Sequence, residues 1–138
     1  MTRSVHRLRR LESLRRIEEQ GARYALVASV AAVQTAMGSV PATPDPLPMG
    51  GLDAESLRCG IAKERLGWAS VGAGLGRIDA ARDSEVQARS VWSDAAVALR
   101  AVQRLADRSD ARQRAKTAKR EQRDLDEVAI VAWRGRHG

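Results

Sequence analysis

The chain has 138 residues and a formal net charge of +7, with 24 Lys and Arg against 17 Asp and Glu. Its 43% of hydrophobic residues is largely alanine, with no Phe, one Tyr and three Trp. That composition argues against a compact globular core, which depends on large side chains for buried apolar area. An Ala- and Arg-rich chain with 30% charged residues reads instead as a single coiled-coil domain. The positive excess favours an acidic protein surface, nucleic acid or anionic lipid as partner.

Helix is predicted from about Val5 to Gly38. Leu14, Ile17, Gly21, Tyr24, Ala28 and Ala31 alternate steps of three and four, which reads as a heptad seam. Leu8, Leu11 and Leu14 are spaced by threes, a local slip in that repeat. Ser39 to Gly51 then holds Pro41, Pro44, Pro46 and Pro48, followed by Gly50 and Gly51. Proline removes a backbone donor and restricts its neighbour, so helix stops here, and the stretch is expected to be irregular and mobile. Asp53 is the expected N-cap of a further helix.

Gly67, Gly72, Gly74 and Gly76 suggest a second break. Two hairpins are then conceivable. A turn at the prolines would set a first arm of about 50 Å against a second of about 120 Å, leaving a long stretch unpaired. A turn at the glycines gives matched arms. The expected architecture is therefore all-α, a long antiparallel two-helix coiled-coil hairpin whose first arm is interrupted by a Pro-rich segment. Its parts are a first arm over 1–38, a Pro-rich break over 39–52, the first arm continued over 53–70, a Gly-rich tip over 71–76 and a second arm over 77–134. In that register Leu14, Ile17 and Tyr24 face Ala111, Ala115 and Ala118, and Leu8 and Leu11 meet Leu125 and Val128. Trp92, Ala96 and Leu99 fall near the Pro-rich break.

No catalytic constellation stands out, and the expectation is a protein that is not an enzyme and needs no cofactor. Gly72, Gly74 and Gly76 lack both the spacing and the strand context of a dinucleotide loop. His6 and His137 lie near opposite termini with no metal-ligand spacing around them. Asp124, Asp126 and Glu127 have Lys119, Arg120 and Arg123 as helical ion-pair partners rather than an acid–base task. Cys59 is the single cysteine, which excludes an intramolecular disulfide and suggests a reducing compartment. The longest mainly apolar run, Ala25 to Val33, is far short of the ~20 residues a bilayer requires. Charge persists through Glu19, unlike a signal peptide, so a cytoplasmic protein is expected.

The basic residues cluster. Arg3, Arg7, Arg9, Arg10, Arg15 and Arg16 crowd the start, and Arg112, Arg114, Lys116, Lys119, Arg120 and Arg123 crowd the last helix. A hairpin brings both groups to one end, where their repulsion calls for an acidic partner. Arg10, Arg16, Arg120 and Arg123 are the expected contact residues. Leu8, Leu11 and Leu125 are expected to hold the arms together.

The segment Arg120-Glu121-Gln122-Arg123-Asp124-Leu125-Asp126-Glu127-Val128-Ala129 resembles the C-terminal motif of the FliJ family of flagellar export proteins. The leucine-spaced basic start, Arg7 to Arg16 ahead of Glu18 and Glu19, is similar to that family's opening. The resemblance covers about the first and last thirty residues. It implies an antiparallel coiled-coil stalk of the type III export apparatus, peripheral to the inner membrane. The implied partners are the export ATPase ring, the cytoplasmic domain of the export gate and export chaperones, with no stable nucleic acid complex. Glu121, Gln122, Leu125, Asp126, Glu127 and Ala129 align with the family motif, and Arg123 stands where Lys is usual. The Pro-rich break and Gly-rich tip depart from the family's uninterrupted arms. A second reading is a basic coiled-coil adaptor for nucleic acid or another acidic partner. The scarcity of aromatic residues for base stacking weighs against its nucleic-acid form.

Overall fold

The structure, a computed structural model, describes residues 2–48 and 50–137. Two helices account for nearly all of it: α1, Thr2–Gly38, and α2, Ala54–His137. There is no strand among the described residues. The helices pack against each other, as an all-α hairpin requires. Two compact units divide the chain: one joins the stretch up to Glu19 with the chain from Ala95 onward, the other is Gln20–Asp94.

The helix ends follow local chemistry. At the end of α1 the Ser39 amide donates to the Thr35 and Ala36 carbonyls, at 3.1 and 3.2 Å, before Pro41 closes off further helix. Asp53 caps α2 as its position suggests. Its Oδ1 accepts the Ser56 amide at 2.7 Å, and its carbonyl accepts the first helical bond from Leu57 at 3.0 Å. Gly51, at φ 78°, makes the left-handed turn just ahead of that cap.

The connection between the helices is the Pro-rich segment, and residues 71–76 are not a tip. They lie inside α2, which is unbroken from Ala54 onward. Glycine lowers helix propensity by about 1 kcal/mol against alanine, but it sterically blocks nothing and keeps its N–H. Proline lacks the N–H and its ring clashes with the preceding turn, and no proline occurs after Pro48. The assignment of 53–70 to a continued first arm falls with the tip.

Within the unit Gln20–Asp94, the Pro-rich segment is irregular, as expected, but it is packed. Val40, Pro44 and Leu47 are half-buried while the prolines on either side of Pro44 are exposed. A Cβ built on Gly60 would strike the Leu47 side chain, and one on Gly67 the Pro44 ring. One on Gly74 would sit 3.4 Å from Val40 Cα and Pro41 Cδ. The segment therefore runs back along α2 as a strap on three glycines spaced by seven. The dimensions agree: seven extended residues from Val40 to Leu47 reach about 22 Å, and fourteen helical residues from Gly74 to Gly60 rise about 21 Å.

The helix faces obey one strict heptad. Every residue of α1 with a described side chain that is not exposed lies on the row Val5, Leu8, Glu12, Arg15, Glu19, Ala22, Leu26, Ser29, Val33 and Ala36. On α2 the matching row runs in alternating steps from Gly60 to Gln113. One of its two positions reads Gly60, Gly67, Gly74, Ala81, Ala88, Ala95 and Val102, glycine beneath the strap and larger residues beyond it. Val33, Val71 and Val102 are the apolar side chains buried most deeply, and buried Ser29 gives its hydroxyl to the Leu26 carbonyl at 2.8 Å.

The sequence-based seam had this period but the wrong phase. Leu14, Ile17 and Tyr24 are 58%, 65% and 76% exposed, and Ala28, Ala31, Ala111, Ala115 and Ala118 are exposed with them. The true row carries Glu12, Arg15 and Glu19, which a search for large apolar residues passes over. Glu12 accepts Arg16 at 3.0 Å, and on α2 Glu85 accepts Arg89 at 2.7 Å, so charges on the row are answered from their own helix.

Candidate functional site: the open basic end of α2

In the unit containing both termini, α1 packs on α2 up to about Gln113. Leu8 shares a groove with Leu105, Arg108, Ser109, Arg112 and Lys116. Val5, His6 and Arg9 border another groove with Asp110 and Gln113. The Arg9–Asp110 pair, 3.7 Å apart and largely solvated, marks the same level. Beyond Gln113 every residue of α2 through Arg136 is exposed. That is 23 residues, about 34 Å of helix rise.

The reason lies in the heptad. Continued past Gln113, the packing row reads Lys116, Arg120, Arg123, Glu127, Ile130 and Arg134. Such a row cannot bury itself against another basic helix. Ile130 is the one apolar residue on that row; Leu125, Val128 and Ala132 sit on other faces, and Leu125 is 65% exposed. The contact of Leu8 and Leu11 with Leu125 and Val128 expected from sequence is therefore absent. Leu8 meets α2 around Leu105 to Arg112 instead. Trp92 lies well along α2 from the strap, which reaches that helix at Gly60 to Gly74.

The expected contact residues split into separate places. Arg120, Glu121, Gln122, Arg123, Leu125, Asp126 and Glu127 all stand exposed on the uncovered part of α2, where Gln122 Nε2 donates to Asp126 Oδ1 at 3.2 Å. Arg10 and Arg16 are exposed on α1. Measured from the Arg9–Asp110 level, Arg16 and Arg120 lie in opposite directions, about 25 Å apart along the helices. Arg9 shares a groove with Asp110, Arg114 and Glu121, whereas Arg108, Arg112 and Lys116 line the separate groove at Leu8. A single four-arginine cluster does not form. The arms share a register set well short of the chain's end, and periodicity alone does not reveal register. The side chains of Arg3 and His137 lie outside the described ones.

Among the described residues no group of three or more His, Cys, Asp or Glu is placed to hold a metal ion. Cys59 is exposed and free. No helix of the described chain is long and apolar enough to cross a membrane.

Fold and surface together define an all-α helical-hairpin protein with one long, charged, uncovered helix end. The family model described as Flagellar FliJ protein matches residues 77–138, the stretch that contains this end. The matched stretch includes Arg120 to Ala129, the segment whose motif resembles that family. No curated protein matches the chain, and no solved structure does.

Proposed function

We propose that the protein is a stalk and adaptor of the flagellar type III export apparatus, and that the exposed end of α2 docks on the export ATPase ring. The observation that carries this reading is the 114–136 segment. It is continuous helix with every residue exposed, and it lies inside the family-matched stretch. Arg120 and Arg123 supply positive charge one turn apart, and Leu125 and Val128 supply apolar area beside it. Arg10 forms a second contact further along, and Arg16, engaged by Glu12, contributes less. Glu121, Gln122, Asp126 and Glu127 fix specificity on the same segment. The gate's cytoplasmic domain and export chaperones are the further partners, and the protein works in the cytoplasm at the inner-membrane export complex.

The test is charge reversal of Arg120 and Arg123, alone and with Arg10 and Arg16, with helicity checked by circular dichroism. Docking through exposed charges weakens with salt, since they are screened within ~10 Å at 0.1 M. The double reversal is expected to weaken ATPase binding at least about tenfold, the cost of one to two kcal/mol, and to flatten its salt dependence. A folded variant with unchanged affinity and salt response refutes the basic-end reading. Salt-dependent capture of bulk DNA with no ATPase binding would favour the nucleic-acid adaptor instead.

A further inference from the structure

A second surface lies on the unit Gln20–Asp94, beside the strap, and the argument for it does not depend on the export reading. Ile61, Trp68 and Leu75 follow Gly60, Gly67 and Gly74 by one residue each, forming a row along one flank of the glycine stripe. Trp68 and Leu75 are 51% and 53% exposed. Where α2 continues beyond the strap, the same flank becomes polar, with Arg82 and Arg89. An extended strap is narrower than a helix and leaves this flank open. The switch from apolar to charged residues thus coincides with the change of cover.

The neighbouring row alternates with it. Arg58, Ile61, Arg65, Trp68, Gly72 and Leu75 succeed one another in steps of three and four, one continuous stripe of the helix. Arg58 and Arg65 are exposed. A Cβ on Gly72 would meet nothing, so the stripe has an open notch in its middle where another backbone can come close. We infer that this stripe is a docking surface for an amphipathic helix of a partner protein, one whose apolar row is flanked by Asp or Glu. Trp68 is the anchor, Arg58 and Arg65 select the acidic flank, and Gly72 admits the partner's closest turn.

The experiment uses the full chain and three synthetic 21-residue amphipathic peptides with the same Leu row, flanked by Glu, Gln or Lys. Binding is read by calorimetry, and sedimentation velocity reports self-association. The Glu peptide is expected to bind at least tenfold more tightly than the Gln peptide, and the Lys peptide not to bind. Trp68→Ser should weaken the Glu peptide at least tenfold. Arg58→Gln with Arg65→Gln should abolish the preference for Glu over Gln while helicity stays unchanged. Equal binding of all three peptides, or unchanged binding by W68S, overturns the proposal. So does a concentration-dependent dimer that W68S dissolves, since the stripe then belongs to a second copy. Reversal of Arg120 and Arg123 should leave peptide binding unchanged, which separates this surface from the open end of α2.

Discussion

Val102 and Leu125 are both aliphatic residues of α2, yet they do different work. Val102 is 7% exposed on the packing row, whereas Leu125 stands on the uncovered segment. Val102→Ala removes two buried methyl groups and leaves a small void, which should cost about 2 kcal/mol in chemical denaturation. Leu125→Ala should stay within about 0.5 kcal/mol, as exposed substitutions do, and should show its effect in ATPase binding. A large stability loss from L125A would mean that the segment is covered within the free protein. Asp53 gives a prediction in pH. The Ser56 side chain and then its amide, both bonded to the carboxylate, hold the Asp53 carboxyl below its usual 3.8. A lowered folded-state pKa means that the cap's contribution is full above the ordinary Asp range. It is lost as pH falls through the folded value. Amide exchange at Ser56 and Leu57 should therefore accelerate in acid for the native chain. In Asp53→Ala it should be fast already at neutral pH.

At the scale of elements, the strap and its glycines form one device. Gly67 lies under the Pro44 ring, whereas Gly72, five residues on, faces open space. Alanine at either site gains about 0.5–1 kcal/mol of helix propensity. Gly72→Ala should show that gain as a raised midpoint of thermal unfolding. Gly67→Ala must displace a rigid ring. The expected result is no net gain, with faster proteolysis between Val40 and Pro48 as the strap lifts. Gly60→Ala should be milder, because the obstacle there is the flexible end of Leu47. If G67A is as stabilising as G72A and leaves proteolysis unchanged, the strap is not held by this contact.

At the scale of the molecule, the helical class, the proline break, the Asp53 cap and the heptad period were all legible in the chain, because each is set by local chemistry. Prolines at 41, 44, 46 and 48 stop a helix wherever they occur. Asp53 caps through its own near neighbours, Ser56 and Leu57. Alternating three- and four-residue steps mark a helical face in any context. The segment Arg120 to Ala129 likewise carries its resemblance to the FliJ motif without reference to any fold. Three features waited for the tertiary structure: the turn, the phase of the seam and the register. Gly67 and Gly74 look like a break until the strap that needs them is in place. Leu14 and Tyr24 outweigh Glu12 and Glu19 on hydrophobicity, yet the smaller and charged row faces the partner helix. The Arg9–Asp110 level leaves α2 uncovered beyond Gln113. Each depends on which surfaces meet across long sequence separations, and a one-dimensional pattern repeated every seven residues is compatible with many such pairings.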